Sequence, residues 1–385
     1  MRIGIDGRYI NDHYPGLGRY TFHLIQALAK ADPTTSLLVI KPGATNTRHD
    51  ISRLREMANV HLVDCPLPAV SVREQLLWPR LARRLGLELL HSPYYVKPYF
   101  LPCPSVVTIG DAIGARYPQH LPSAAARVAY RIATWLAIAS ARCVITFSAS
   151  SQQDLALLFK VPPDKLATIP PGVGHRFTAI PDGNGDRQVR ARYGLPQAYV
   201  FYLGINKPHK NLPGLMRAWS VVRRDRQSIG QEDVTLVAAG KEDKRFPSAR
   251  QLSLSLGLGD SVTSLGEVPE EDLPALYRLA TAFVFPSLWE GFGLPVLEAM
   301  ACGAPVACAN SSSLPEVAGD AALLFDPASP GEIAKALLRL LGQPELRADL
   351  RQRGLARAKD FSWEKTALET LSVYRRALER TAERG

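Results

Sequence analysis

The chain has 385 residues, 46% of them hydrophobic, and a formal net charge of +10. This length predicts two domains, and the apolar content supplies two cores, which excludes a disordered or fibrous chain. No run approaches the roughly 20 uncharged apolar residues of a spanning helix, and Cys65, Cys103, Cys143, Cys302 and Cys308 include no Cys-x2-Cys pair, which argues against structural zinc and for a reducing, cytoplasmic setting.

Apolar runs of strand length alternate with helical ones along the chain. Arg2–Asp6, Ser36–Ile40, Asn59–Val63, Glu88–His91, Ser105–Ile109, Cys143–Phe147 and Leu166–Ile169 read as strands of a first domain. Ala198–Leu203, Val234–Ala239, Val262–Leu265, Thr281–Phe285, Pro305–Ala309 and Ala321–Phe325 read as strands of a second. Such alternation predicts α/β architecture: two Rossmann-like, doubly wound domains with parallel sheets and helices on both faces. Met1-Arg2-Ile3-Gly4-Ile5-Asp6 enters the first strand directly, with no signal pattern. Pro181-Asp182-Gly183-Asn184-Gly185-Asp186 has linker composition. The expected domains are therefore 1–182 and 183–366. A last helix from about Trp363 to Thr381 is expected to cross back, so that 367–385 join the first domain. The stretch Arg380–Gly385 is expected to fray. Ligand is expected at the carboxyl ends of the strands, in a cleft between the domains.

The positive charge is uneven. Residues 1–190 hold 22 Lys/Arg against 13 Asp/Glu, and the remainder 24 against 23. Arg80, Arg83 and Arg84 form one basic cluster; Arg116, Arg127, Arg131 and Arg142 lie in another stretch with little acid. Two readings fit this basic half. It faces an anionic acceptor or an anionic membrane surface, or it is a solvated arginine-rich surface. Nucleic acid is not expected, since no binding module is recognisable.

The densest chemistry lies in Ser287-Leu288-Trp289-Glu290-Gly291-Phe292-Gly293-Leu294-Pro295-Val296-Leu297-Glu298. A buried strand ends at Pro286, and a helix is expected to begin near Pro295 and run to Cys302. Gly291 and Gly293 permit positive φ and close approach of backbone to a ligand. The helix start favours an anion such as a diphosphate. Carboxylates on either side suit vicinal hydroxyls, each charged hydrogen bond contributing about 1.5–3 kcal/mol. Either Glu alone also suits an ordinary loop or helix-terminal position.

This segment resembles the Glu-x7-Glu motif of glycosyltransferase family 4, retaining enzymes of GT-B fold. Further matches follow in family order. Met1–Asp6 with Gly16-Leu17-Gly18-Arg19-Tyr20-Thr21 resembles the first strand and its glycine-rich donor-side loop. Val144–Ser151, Ile169-Pro170-Pro171-Gly172-Val173, Tyr202–Leu212 and Phe361-Ser362-Trp363-Glu364 resemble the later landmarks.

The resemblance implies transfer of a hexosyl unit, with retention, from a GDP- or UDP-hexose to a glycan, lipid-linked or small-molecule hydroxyl. No cofactor and no metal are implied. It assigns Glu290 to the sugar, Glu298 to the ribose and Lys210 to the diphosphate, with Lys207 in the same loop. Gly16, Gly18, Gly240, Val268, Gly291, Phe292, Gly293 and Leu294 join the donor contacts. Many family members carry an Arg shortly before the lysine, where this chain has Lys207 and His209. Many also have His-Asp after the fifth strand; here Val107-Thr108-Ile109-Gly110-Asp111 keeps only Asp111. Asp111 fits either a catalytic or substrate contact or a capping role. A GT-B sugar-nucleotide epimerase and a non-catalytic sugar-nucleotide binder are the alternatives.

Overall fold

The computed structural model describes residues 1–385 apart from 12, 42–48, 66, 68–70, 229–233 and 383–385. The chain forms two compact units, Met1–Gly172 with Phe361–Gly385, and Val173–Asp360. The boundaries fall ten and six residues before the expected 182/183 and 366/367 divisions.

Among the described residues the first unit holds a seven-stranded parallel sheet of order β3-β2-β1-β4-β5-β6-β7. Its strands are β1 (Arg2–Asp6), β2 (Ser36–Lys41), β3 (Val60–Asp64), β4 (Leu89–Ser92), β5 (Ser105–Thr108), β6 (Cys143–Thr146) and β7 (Leu166–Thr168). Covered on both faces, the central strands read as continuous apolar runs. One face sets Ile3, Ile5, Leu37, Val39, Leu89 and Val106 against the helices Pro15–Ala31 and Trp363–Ala382. The other sets Leu38, Ile40 and Leu90 against Trp78 and Ala82 of the helix Glu74–Leu85. On that same face Val107 and Val144 meet Ala137 and Ile138 of the helix Ala124–Ser140.

The crossing-back helix belongs to the first unit, as expected. Its helical assignment runs through Ala382; residues 383–385 lie outside the described ones. Only a glycine fits where the helix arrives: a Cβ on Gly172 would sit 2.2 Å from the Trp363 nitrogen. Thr366 Oγ1 donates to the Pro170 carbonyl at 2.8 Å.

A buried polar chain ties this helix to the sheet. His91 on β4 bonds the Tyr374 hydroxyl through Nδ1 at 2.6 Å and Thr108 Oγ1 through Nε2 at 2.8 Å. The Tyr20 hydroxyl lies 3.4 Å from Thr108 Oγ1. The chain joins two strands and two helices inside an otherwise apolar core, where each member needs its partners.

Among the described residues the second unit holds a six-stranded parallel sheet of order β10-β9-β8-β11-β12-β13. Its strands are β8 (Tyr199–Leu203), β9 (Thr235–Ala239), β10 (Val262–Gly266), β11 (Ala282–Phe285), β12 (Val306–Ala309) and β13 (Ala322–Phe325). Phe201, Tyr277 and Phe283 pack edge to face in its core, Tyr277 lying 5.3 and 5.2 Å from the two phenylalanine rings. Such pairs contribute about 0.5–1.5 kcal/mol beyond their buried area.

Pro181–Asp186 is not a linker. Asp182 caps the helix Gly183–Tyr193 by accepting from the Gly185 nitrogen at 3.0 Å, and Asp186 in its first turn pairs with Arg278. Arg278 also donates to the Thr178 carbonyl at 3.0 Å. The segment is thus stitched into the second unit. All five cysteines are free thiols, and burial pushes Cys103 up to about 11 and Cys302 and Cys308 up to about 12.

Strand order reverses between β1 and β4 in one sheet and between β8 and β11 in the other. At such points the loops after adjacent strands part in opposite directions and leave a crevice at the carboxyl edge.

Burial makes the fold sensitive to acid at His91, whose imidazole is held down to about 3 from 6.5. The unfolded chain takes the proton first, so stability is full above pH 6.5 and falls as pH drops from 6.5 towards 3. The loss reaches at most ~1.4 kcal/mol per pH unit. Urea unfolding of the full chain at about pH 7.5 and about pH 5.5 is expected to show a smaller acid loss in His91→Gln than in wild type. Equal losses in the two proteins would rule out His91 as the source.

Candidate functional site

The loops after β8 and β11 meet at the reversal point of the second unit. The loop after β8 ends in a single 3-10 turn, Pro208–Lys210, closed by Asn211 in the left-handed conformation at φ 56°. Asn211 is pinned by its own amide, which donates to the Pro327 carbonyl at 2.7 Å. The loop after β11 carries Glu290 and reaches the helix Leu294–Ala301, with Pro295 in the first turn as expected. Gly293 is its N-cap at φ 109°, and a Cβ there would lie 2.5 Å from a Leu314 methyl. Glycine at 293 is therefore required twice, by conformation and by space.

The two loops are joined directly. The Leu288 nitrogen donates to the His209 carbonyl at 2.7 Å. Lys210 Nζ meets Glu290 Oε1 at 2.6 Å, with side chains 16% and 13% exposed. The ammonium also stands 5.2 Å from the centre of the Phe285 ring. A cation and a carboxylate are thus held together at the rim, neither fully desolvated. The negative charge of Glu290 adds to burial in raising the Tyr202 phenol above its ordinary value.

A serine run that sequence reasoning missed braces the Glu290 loop. Ser311, Ser312 and Ser313 follow β12. Ser312, itself at φ 48°, accepts from the Glu290 nitrogen at 2.9 Å. Ser313 Oγ donates to the Glu290 and Phe292 carbonyls at 3.0 and 2.7 Å, and Ser311 Oγ to the Ser287 carbonyl at 3.0 Å. Three hydroxyls thereby satisfy a turn that makes no regular ladder of its own. A signal was present in three consecutive serines directly after a strand.

Glu298 lies one turn into the helix and is 1% exposed; its Oε2 accepts from the Tyr277 hydroxyl at 3.1 Å. Phe292 is buried and Leu294 half-buried. Lys207 is half-buried in the β8 loop. Gly240 ends β9 at φ 140°, and a Cβ there would lie 2.2 Å from the Gly204 carbonyl oxygen, so the β9 end touches the start of the β8 loop. Val268 is buried after β10.

The remaining candidates belong to the first unit. Gly16 and Gly18 are not in a loop: they lie in the first turns of the helix Pro15–Ala31, with Pro15 at its start. A Cβ at Gly18 would lie 3.0 Å from the Tyr9 carbonyl oxygen, whereas Gly16 has nothing within 4 Å. Asp111 Oδ1 accepts from the Ile113 nitrogen two residues on at 3.0 Å, just ahead of the short helix Ile113–Arg116, whose N-cap is Ala112. The missing side chain at 110 has a physical counterpart. A Cβ on Gly110 would lie 2.5 Å from the Phe147 ring, which itself packs at a tilt against Tyr20 with centroids 4.7 Å apart. Phe147 occupies the volume that a residue at 110 would need. Among the described residues, no group of three His, Cys, Asp or Glu side chains is placed to hold a metal.

Known proteins resemble this chain over most of its length. Residues 14–177 match the model of Glycosyltransferase Family 4, and residues 187–357 that of Glycosyl transferases group 1. The chain is 32% identical over 379 residues to O-antigen chain mannosyltransferase B of Escherichia coli, covering 94% of this chain and 97% of that one. Sucrose-phosphate synthase from Thermosynechococcus elongatus superposes with TM-score 0.76 at 21% identity, covering 99% and 100% of the two chains. Anabaena HepE in complex with UDP-glucose does so with TM-score 0.73 at 17% identity, covering 97% and 100%. These two likenesses show the GT-B fold.

The Gly110–Phe147 contact predicts a coupled pair. Gly110→Ala is expected to lower stability by about 1–3 kcal/mol through overpacking. In a cycle with Phe147→Leu, measured by denaturant unfolding, the two losses should be less than additive. Strict additivity would show that the ring is not the obstacle.

Proposed function

The chain belongs to the family 4, group 1 glycosyltransferases, and on that footing we propose that it moves a hexosyl unit from a nucleoside-diphosphate sugar to an acceptor hydroxyl with retention. The observation that carries this reading is the Lys210–Glu290 pair at the strand-order reversal of the second unit. A diphosphate arriving there competes with Glu290 for the ammonium. As it takes Lys210, it leaves the Glu290 carboxylate to accept from hydroxyls of the attached sugar. One ion pair thus prepares both halves of a sugar diphosphate site.

In this mechanism the anomeric C–O bond to the diphosphate breaks and a bond to the acceptor oxygen forms on the same face. The acceptor proton passes to the departing phosphate oxygen. Lys210 and the N-terminus of the helix Leu294–Ala301 stabilise the charge that develops on that phosphate. Glu298 is assigned to the ribose hydroxyls, its carboxylate oriented by Tyr277. Asp111 is assigned to a substrate contact, and Lys207, Gly240 and Val268 to close approaches along the donor. Positive charge comes from Lys210 and backbone, so turnover is expected to persist in excess chelator. The E. coli relative is a mannosyltransferase and the Anabaena neighbour holds UDP-glucose. GDP-mannose and UDP-glucose are therefore the first donors to try.

A membrane-facing role for the basic half has its own support. The helices Glu74–Leu85 and Ala124–Ser140 cover the same face of the first sheet. On the second helix Val128, Ile132 and Trp135, spaced four and three residues apart, are 57, 53 and 58% exposed beside exposed Arg127 and Arg131. Leu76 on the first helix is 70% exposed, with Arg73, Arg80, Arg83 and Arg84 exposed around it. Apolar side chains among arginines suit the interface of an anionic bilayer. No helix among the described residues is long and apolar enough to cross one.

Three measurements test these assignments. By calorimetry, Lys210→Ala should weaken nucleoside-diphosphate binding about 10–100-fold, the loss of one charge-assisted hydrogen bond. Glu290→Ala should abolish most transfer while bare nucleotide binds as well as before or better, because Lys210 is released. A parallel loss of nucleotide affinity in Glu290→Ala would sink the division of labour. Glu298→Ala should weaken nucleotide binding; unchanged affinity would confine Glu298 to its internal bond with Tyr277. For the membrane face, sedimentation with phosphatidylglycerol vesicles, but not phosphatidylcholine vesicles, is expected, with loss in high salt and in Trp135→Ser. Absence of sedimentation would return the face to a solvated surface.

A further inference from the structure

The three serines after β12 do not use their hydroxyls alike. A hydroxyl has one proton to donate and two lone pairs to accept with. Ser311 and Ser313 donate theirs to carbonyls, Ser311 to Ser287 at 3.0 Å and Ser313 to Glu290 and Phe292 at 3.0 and 2.7 Å. Ser312 does the reverse. Its Oγ accepts from the Glu290 nitrogen at 2.9 Å, and among the described residues that is its one side-chain hydrogen bond. The proton of the Ser312 hydroxyl is therefore left over.

Backbone conformation marks the same residue. Among the described residues three that are not glycine stand at positive φ: Lys160 at 53°, Asn211 at 56° and Ser312 at 48°. Lys160 is a helix C-cap, where the left-handed conformation is ordinary. Asparagine tolerates that conformation, and Asn211 closes the turn that carries Lys210. Ser312 has neither reason. Glycine would adopt φ 48° without the crowding of a Cβ, so a serine there bears its strain for the sake of the hydroxyl.

The place of that hydroxyl gives the spare proton a use. Ser312 is half-buried, and so is Glu290, whose nitrogen it holds and whose carboxylate stands at the rim on Lys210. Ser313 is fully buried. Of the two serines bonded to Glu290 itself, Ser312 is thus the one within reach of a ligand. An ionised carboxylate only accepts. A hydroxyl donor beside it completes a pair that suits two adjacent hydroxyls of a pyranose: one donates to Glu290 while its neighbour accepts from Ser312. A sugar that lacks the neighbouring hydroxyl leaves Ser312 unpaired, and sites built on such hydrogen bonds discriminate strongly.

We propose that Ser312 is a sugar-selecting residue of the donor site, donating to a hexose hydroxyl adjacent to the one that Glu290 accepts from. This role rests on the donor reading of the Lys210–Glu290 pair and adds to it a second side chain that reads the hexose. It also divides the serine run: Ser311 and Ser313 shape the turn, and Ser312 faces the sugar.

The test is calorimetric, on the full chain, with UDP and GDP, with UDP-glucose and GDP-mannose, and with the monodeoxy forms of whichever sugar nucleotide binds. Ser312→Gly removes the hydroxyl and suits φ 48°, so it is expected to fold, which urea unfolding checks. Ser312→Ala, which keeps the Cβ, is the second variant and should behave alike. Bare nucleotide is expected to bind both variants within about twofold of wild type, while the sugar nucleotide weakens about five- to tenfold, the loss of one hydrogen bond. One monodeoxy donor should weaken by a similar factor in wild type and by no further factor in the variants, a coupling that a role confined to bracing the turn does not produce. Undiminished binding of the sugar nucleotide by the variants overturns the proposal and leaves the donor reading standing. Equal weakening of nucleotide and sugar nucleotide also overturns it and returns Ser312 to the brace. So do additive losses with every monodeoxy donor. If no nucleotide binds wild type, the donor reading itself falls, and this role with it.

Discussion

A parallel sheet covered by helices on both faces leaves one edge accessible to a ligand, the carboxyl edge where the strand order turns back on itself. Both sheets of this chain obey that constraint, between β1 and β4 and between β8 and β11. Everything of chemical interest follows from which residues the adjoining loops deliver there. In the second unit they deliver a lysine and a glutamate, backed by three serines. In the first they deliver Tyr9 and Tyr94, whose rings lie 5.1 Å apart. The same scaffold rule thus yields an ionic edge in one unit and an aromatic one in the other.

The ionic crevice rests on satisfied backbone. The Glu290 turn is irregular, yet Ser312 and Ser313 supply the partners its amide and carbonyls require. With the turn so held, the short Lys210–Glu290 contact needs little further ordering of side chains, and the pair is poised for exchange instead of being locked in the core. A fully buried ion pair costs more to separate than a partly exposed one. Partial exposure is therefore the useful state for these two side chains.

Strand positions were legible because burial on both faces writes itself into continuous apolar runs, and each of the expected runs overlaps a strand. Glycine–carboxylate spacing marked the Glu290 turn for the same local reason. What escaped was ambiguous or non-local. Pro181–Asp186 has the composition of a linker and also of a capped helix start, and only its bonds to Gly185 and Arg278 distinguish the two. Gly16 and Gly18 read as a loop although Pro15 opens a helix there. The serine brace and the burial of Glu298 depend on neighbours from other strands. The Tyr9–Tyr94 contact joins the ends of two different strands, and no window of sequence contains it. The absence of a side chain at Gly110 was visible, but its cause, the Phe147 ring, was not.

The helix Trp363–Ala382 completes the first core from the far end of the chain, through Trp363, Leu371 and the Tyr374–His91 bond. During synthesis the seven strands of that unit emerge long before their covering helix does. The second unit, continuous from Val173 to Asp360, has all its residues available first. The first unit therefore closes through contacts of very high sequence separation, which form slowly. Until then the face of its sheet carrying Ile3, Ile5 and Val106 stays partly uncovered and open to wrong pairing. Order of maturation, like order of strands, is set by topology here: the unit made first is finished last.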